Sequence, residues 1–492
     1  MDKDENKEEI LINVSSSEVR AAYLENNILQ EVYIERQSNL SKINNIYKGK
    51  VKRILPGIQA AFIDIGLEKS AYLHVSDIKT NSYNKKNNQK PDIKHLLSEG
   101  ENIMVQVIKG PIGEKGARLS TKISIPSRYL VFMPKEVSIG ISSKIKDDNE
   151  IKRLYKIVNS LLSENSLEGG LIIRTIAHQA TSECIKTDLI NVVNIWTKIK
   201  EQYNLINTKK LIYDDLLLPL RILRDLTSEN LNRILIDSES IYESMLDFTK
   251  KNIRHKNFKL ECYKGQENLF DLYDVEEEIY KSMNKMISLE SGGIVIFDQT
   301  EAMNVIDVNT ASFVGLNNSE ETMYQTNLEA SVAIARQIRL RNLTGIIIID
   351  FIDMKNDIHR SNVLKLFKDS LAKDSALHQI MPISKLGLVE MTRKRTRVSL
   401  KSVLSEDCPS CEGLGFVMTA DTVYFEIYRE ILRKSEKIDF NKLTIHAHQC
   451  VIDLFLYNKD SALKELEKKI GIPIDLEVES EFLQHQFDIN LA

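Results

Sequence analysis

The chain has 492 residues, 42% hydrophobic and 28% charged, proportions of soluble globular domains with room for several cores at roughly 150 residues each. A net charge of −4 excludes bulk basicity as a way of holding nucleic acid, so any such surface must come from local patches. No run approaches the roughly 18 apolar residues of a membrane helix, the acidic start MDKDENKEE excludes a secretion signal, and five cysteines (184, 262, 408, 411, 450) suit a reducing cytoplasm rather than a disulfide scaffold.

Residues 10–36 alternate weakly and read as strands with a short helix. Residues 45–78, NIYKGKVKRILPGIQAAFIDIGLEKSAYLHVSDI, hold short β-rich runs separated by Gly and Pro turns, the pattern of a small barrel. The polar stretch 80–92 reads as an exposed loop, and 102–110 with 116–125 would close the barrel. Four basic residues between Lys48 and Arg53, followed by Phe62 and Tyr72, suit a barrel that stacks bases beside cations; core aromatics with solvated lysines are the plainer alternative. Residues 127–217 mix strands and helices around GGLIIRTIA, and 218–282 reads as helix and strand.

Residues 292–309 form two apolar runs around a polar turn, a hairpin signal. A 3.6-period helix over 320–342 places Leu328, Val332, Ala335 and Ile338 on one face, and Gly345 follows it. GIIIIDFIDM (345–354) then reads as a strand buried on both faces that ends in a carboxylate, Asp350. Strand, helix and strand make a βαβ unit, so parallel strands bring Asp307 and Asp350 to one sheet edge, where ligands of open α/β sheets bind. Period 2 puts Asn309 on the face of Asp307. Two carboxylates and an amide suit Mg²⁺, a hard ion that keeps several waters; loop-capping aspartates are the alternative. Asp353 points to the opposite face if the strand continues.

A further helix is expected near 358–372, and the basic run TRKRTR (392–397) reads as a solvated face or a grip on a phosphate backbone. CPSCEGLG, with Cys408 and Cys411, is half of a tetrahedral Zn²⁺ site. Its other half could come from His446, His448 and Cys450 or from a second copy of the chain; a redox pair or a plain turn is also open. Residues 419–492 read as a small separate α/β unit, and no internal repeat is present.

NIYKGKVKRILPGIQAAFIDIG, TEAMNVIDVNT, TNLEASVAIARQIRLRNLTGIIIIDFIDM, GLVEMTRKRTR and CPSCEGLG occur in this order. Together they resemble the ribonuclease E/G family of bacterial endoribonucleases, from about residue 10 to the end. The absence of a long scaffold tail for a degradosome makes the chain most similar to the ribonuclease G branch. The resemblance implies a multidomain α/β and β protein. An RNase H-like subdomain would span 1–39 and 218–282, an S1-like OB-fold barrel 40–126 and a 5′-sensor 127–217. A DNase I-like catalytic subdomain would follow at 283–401, a zinc link at 402–418 and a small dimerisation domain at 419–492.

It further implies Mg²⁺ held by Asp307 and Asp350 with Asn309 in support. Zn²⁺ would be shared between subunits through Cys408 and Cys411, giving a homodimer or homotetramer. Arg174, Thr175 and the backbone at Val131 would recognise an RNA 5′-monophosphate, as a guanidinium fork suits a terminal phosphate. Phe62, Tyr72 and Lys115 would contact RNA. The implied activity is hydrolysis of single-stranded, AU-rich RNA to 5′-phosphate and 3′-hydroxyl ends, in ribosomal RNA 5′-end maturation and mRNA decay. Three positions depart from the pattern: Ser127 stands where ribonuclease E has glycine, Leu377 where a basic residue is common, and Tyr72 where phenylalanine stands. The alternative class is a non-catalytic RNA-binding or ribosome-assembly protein, against which the set Asp307, Asn309 and Asp350 argues.

Overall fold

A computed structural model describes residues 7–37, 42–79, 92–111, 116–164, 168–227, 230–253, 258–310, 319–395, 397–435, 442–457 and 462–491. Lys115 and most of the polar stretch 80–92 lie outside them. The described residues belong to two units, 1–400 and 401–492, and no helix among them is long and apolar enough to cross a membrane.

In the first unit, Glu8–Val14, Glu18–Glu25 and Ile28–Arg36 form an antiparallel meander. The expected short helix in 10–36 is a strand instead: Asn26 and Asn27, at φ 51° and 62°, make the tight turn that a two-residue hairpin demands. The first strand pairs in parallel with Leu231–Ile236, which pairs with Lys259–Cys262. Ile10, Ile12, Ile234 and Ile236 anchor the core of this five-stranded sheet.

Ile46–Leu55, Ala60–Asp64, Ala71–His74, Arg118–Ser120 and Asn102–Lys109 close into a five-stranded barrel, the last strand returning to the first. Its interior is Val51, Ala61, Ile63, Val105, Val107 and Leu119. Gly49 lets the first strand bend inward, since a Cβ there would come within 2.6 Å of Ile63. A third sheet combines Ile125–Pro126, Leu130–Met133, Gly170–Ile173 and Ile139–Ile141 under the helices Asp148–Glu164 and Ser182–Leu205.

The fourth sheet carries the paired aspartates. Its order is Met286–Ser288, Ile294–Gln299, Met303–Asn309, Gly345–Asp350, Leu388–Arg393, His378–Ile380. Ile294–Gln299 and Met303–Asn309 form the expected hairpin, and Met303–Asn309 runs parallel to Gly345–Asp350 across the helix Ser319–Leu340. That helix and Asp357–Leu371 share one core with the sheet, through Ala330, Ile334, Ile338, Val363 and Phe367 against Ile306, Ile347, Ile349 and Val389.

Two expectations fail here. The isoleucine strand is buried on one face only: Ile347 and Ile349 are buried while Ile346 is 46% exposed, because both helices pack on the same side. Val332 is exposed, and the helix's buried stripe runs through Asn327, Ser331, Ile334 and Ile338. Two of those four are polar, which hides the stripe from a hydrophobic count.

The second unit packs the helices Ala420–Ser435, Gln449–Tyr457 and Ala462–Ile470 on a three-stranded sheet with Leu443–Ala447 at its centre.

Candidate active site

Register decides the geometry of the carboxylates. Ile296, Asp307, Asp350 and Leu388 stand side by side across four strands. Alternation sends Ile306, Val308 and Ile349 into the core and Asp307, Asn309 and Asp350 to the face opposite the helices, at the carboxyl ends of two parallel strands. Asn309 Nδ2 donates to Asp307 Oδ2 at 2.6 Å. Partial burial pushes the Asp350 carboxyl above its ordinary range, and the charges of Asp307 and Asp353 push it further. Asp353 therefore acts on this site: the strand ends at Asp350, so the extrapolated alternation beyond it does not apply. Among the described residues no cation pairs with Asp307, Asp350 or Asp353.

Asn327, which sequence reasoning missed, holds the strand end. It is fully buried in the crossover helix; its Nδ2 donates to the Ile352 carbonyl at 2.7 Å and its Oδ1 accepts the Ile352 N–H at 3.0 Å. A buried amide satisfied on both sides fixes the backbone two residues past Asp350.

The basic run 392–397 divides by environment. Arg393 is 3% exposed and gives two hydrogen bonds to Asp374 (2.6 and 2.9 Å) and one to Asn342 (2.8 Å). Arg397 lies 3.8 Å over the Tyr33 ring and donates to the Val32 carbonyl. Lys394 and Arg395 remain exposed. Leu377, 67% exposed, borders a shallow groove with Ile346 and Lys394 at the opposite end of the isoleucine strand from Asp350.

Arg174, Thr175 and Val131 lie in and beside the third sheet. Arg174 Nη1 donates to the Ser127 carbonyl (2.6 Å) and to Asp225 Oδ1 (2.7 Å), and Thr175 Oγ1 lies 2.8 Å from Ser142 Oγ. Val131 pairs with Ile172 in the sheet. The loop 127–130 is braced from behind by buried Asp188, which accepts from Ser127 Oγ and from the N–H groups of Tyr129 (2.8 Å) and Leu130 (3.0 Å). Burial raises the Asp188 carboxyl, and these donors oppose the rise.

On the barrel, Arg53, Phe62, Tyr72 and Arg118 are consecutive cross-strand neighbours on the outer face. The Phe62 and Tyr72 rings meet edge to face at 6.4 Å, and His74 extends the row, stacked on Tyr72. Lys48 takes no part: its Nζ donates to the carbonyls of Tyr203 and Ile206 at 2.8 and 2.9 Å.

In the second unit, Cys408 and Cys411 occupy one turn closed by Cys411 N–H to the Cys408 carbonyl. Backbone N–H groups of Ser410 and Cys411 lower the Cys408 thiol. His448 Nδ1 lies 3.0 Å from Cys450 Sγ, and His446 contacts Asn490 and Glu477. Among the described residues no three His, Cys, Asp or Glu side chains gather as a metal cage.

Models of known families match three stretches: S1 RNA binding domain at 41–122, Ribonuclease E/G family at 124–396, and RNase E/G, Thioredoxin-like domain at 407–492. The chain is similar to Ribonuclease G of Salmonella typhimurium, 46% identical over 98% of this chain and 99% of the relative, and to Ribonuclease G of Escherichia coli K12 at 44% over the same shares. It is 34% identical to Ribonuclease E of Escherichia coli K12 over 94% of this chain and 44% of that longer protein. The chain belongs to the ribonuclease E/G family.

In this ribonuclease E/G chain, the Ribonuclease E/G match contains Asp307, Asn309, Asp350, Arg174, Thr175 and Val131 together, and the S1 match contains Phe62, Tyr72 and Lys115. Asn327, Asp353, His74, Asp188 and Asp225 join these surroundings; Asn327 and Asp353 lie in the stretch TNLEASVAIARQIRLRNLTGIIIIDFIDM, while Asp188 and Asp225 lie in no quoted motif. His74 also had a signal: the alternation of AYLHV puts it on the face of Tyr72.

Proposed function

We propose that this ribonuclease E/G protein is a Mg²⁺-dependent endoribonuclease that hydrolyses single-stranded, AU-rich RNA to 5′-phosphate and 3′-hydroxyl ends. A substrate 5′-monophosphate would stimulate it. The observation that carries this reading is the register pair Asp307–Asp350, two carboxylates on an open sheet face with no cation partner among the described residues. The donor set fits the ion: Mg²⁺ uses one or two carboxylates and retains waters rather than needing a protein cage. When bound, Mg²⁺ supplies charge neutralisation at the phosphodiester and a lower pKa for water in the site.

The chain's own groups set the geometry. Asn309 orients Asp307, and Asn327 fixes the backbone beyond Asp350. Phe62, Tyr72 and His74 offer ring faces for bases, with Lys50, Lys52 and Arg53 exposed nearby for phosphates. Arg174 and Thr175, with backbone at Val131, take the terminal phosphate. The match to Ribonuclease G supports a role in ribosomal RNA 5′-end maturation and mRNA decay, in the cytoplasm. The sheet formed by Glu8–Arg36 with Leu231–Cys262 supports the RNase H-like reading of 1–39 and 218–282. The fourth sheet takes the DNase I-like role.

The test uses two oligonucleotides, identical except for a 5′-monophosphate or a 5′-hydroxyl. With Mg²⁺ the protein cuts both, the monophosphorylated one faster; with chelator it cuts neither. Arg174→Ala should shrink the preference by about tenfold, the worth of a charge-assisted phosphate contact. Equal preference in variant and wild type would remove Arg174 from the 5′-end role.

Cys408 and Cys411 would hold a structural Zn²⁺ shared with a second subunit, because one chain supplies two thiols of the four donors such an ion takes. Purified protein should then carry about half an ion of zinc per protomer, and Cys408→Ser/Cys411→Ser should release both metal and subunit. A full ion per protomer, or an unchanged oligomer in the variant, would count against a shared site.

A further inference from the structure

Arg174 does not stand alone. Its Nη1 is held by two acceptors at once, the Ser127 carbonyl at 2.6 Å and Asp225 Oδ1 at 2.7 Å. Among the described residues its Nε and Nη2 have no hydrogen-bond partner. One edge of the guanidinium is therefore pinned, while the Nε–Nη2 edge keeps its parallel donors free for a planar, bidentate acceptor.

Asp225 is itself immobilised. It closes the helix Leu218–Asp225, and Arg224 donates to it through Nε (3.2 Å) and Nη2 (3.0 Å). Arg224 is 5% exposed and is gripped on its other side by buried Asp215 at 2.7 Å. Charges alternate along the chain Asp215, Arg224, Asp225, Arg174, from the interior outward. Its last member alone ends in unpartnered donors.

The second acceptor is fixed just as firmly. The Ser127 carbonyl belongs to the loop that Asp188 holds by its hydroxyl and by two backbone N–H groups. Arg174 thus meets two rigid acceptors, and its side chain is ordered before any ligand arrives. Ordering a long cationic side chain in advance removes a cost from binding.

We propose that Asp225 is the positioning residue of the 5′-end pocket: it holds Arg174 by Nη1, presents the Nε–Nη2 edge to a terminal phosphate, and thereby sets the preference for monophosphorylated RNA. This rests on the reading of Arg174 as the phosphate contact. An internal phosphodiester offers fewer charged oxygens to the same fork, so orientation matters most for the terminal group.

Steady-state cleavage of the 5′-monophosphate and 5′-hydroxyl oligonucleotides by full-length wild type, Asp225→Ala, Asp225→Asn and Arg174→Ala tests it. Asp225→Ala should lower the ratio of the two kcat/KM values about tenfold, through a higher KM for the monophosphorylated substrate. Asp225→Asn, whose amide oxygen still accepts from Nη1, should recover most of the ratio. The ratio is read on one protein preparation, so a smaller folded fraction cannot move it. A wild-type ratio in Asp225→Ala, with the ratio lost in Arg174→Ala, overturns the role of Asp225 and leaves the 5′-end pocket standing. So does a loss in Asp225→Ala that falls on kcat for both substrates alike. A wild-type ratio in Arg174→Ala overturns both.

Discussion

Asp307→Asn and Asp350→Asn should each bind single-stranded RNA as wild type does and cleave it slower by roughly 10²–10³-fold or more, the scale on which electrostatic stabilisation of a developing charge is lost. Asparagine keeps the shape and removes the charge, so the fold should be untouched. The two side chains sit in register on adjacent strands, and the charge of Asp307 adds to the burial that holds the Asp350 carboxyl above its ordinary range. Non-additivity follows: the double variant should be little slower than either single one. Single-turnover cleavage at saturating Mg²⁺, with anisotropy titrations in chelator for binding, measures both quantities. Wild-type cleavage by either variant would leave the carboxylate pair without a catalytic role.

Arg393→Met should cost the first unit about 3–5 kcal/mol, the penalty for leaving a buried charge without its partner. Asp374 is 1% exposed and its two oxygens are matched by Arg393 Nε and Nη2. Burial pushes the Asp374 carboxyl up, but the hydrogen bonds and charge of Arg393 outweigh it and hold the group below the ordinary carboxylate range. In wild type, this pair's contribution is present at neutral pH and lost only as pH falls through that lowered value. Without Arg393 the sign reverses. Burial, the largest influence on this carboxyl, is then opposed only by the Ala376 N–H and His378, so the folded state should take up a proton more readily than the unfolded one, and the variant's deficit should narrow as pH falls from 7 towards 5. Denaturant midpoints of wild type and variant across that range measure the difference. A deficit that fails to narrow on acidification would mean that Asp374 stays ionised in the variant. Arg393→Met/Asp374→Leu should regain most of the loss, because it removes both charges together.

That pair also shows where reading a linear chain stops. Arg393 and Arg395 are two residues apart in TRKRTR and look alike, yet one is buried on Asp374 and the other is exposed. Lys48 and Lys50 divide in the same way, one anchored to carbonyls near residue 205 and the other in solvent. A cation's role depends on which distant acceptor the fold delivers, and local spacing carries no information on that.

What the residues determined unaided is the scaffold of the sheet edge that carries the aspartates. Period-2 alternation, a 3.6-period helix and a run of β-branched residues specify strand, crossover helix and strand. A crossover between parallel strands leaves their carboxyl ends on one side. Asp307 and Asp350 were therefore expected at one sheet edge, with Asn309 on the face of Asp307; direct pairing of the two strands sets them in register. Tertiary packing decided the rest. Both helices cover the same face, so the opposite face, with its carboxylates, stays open. Asn327 turns inward to clamp Ile352, and Asp225 reaches across from another helix to aim Arg174. Such buried polar contacts join residues far apart along the chain, and their free energy comes from exclusion of water, which exists only after the layers have closed.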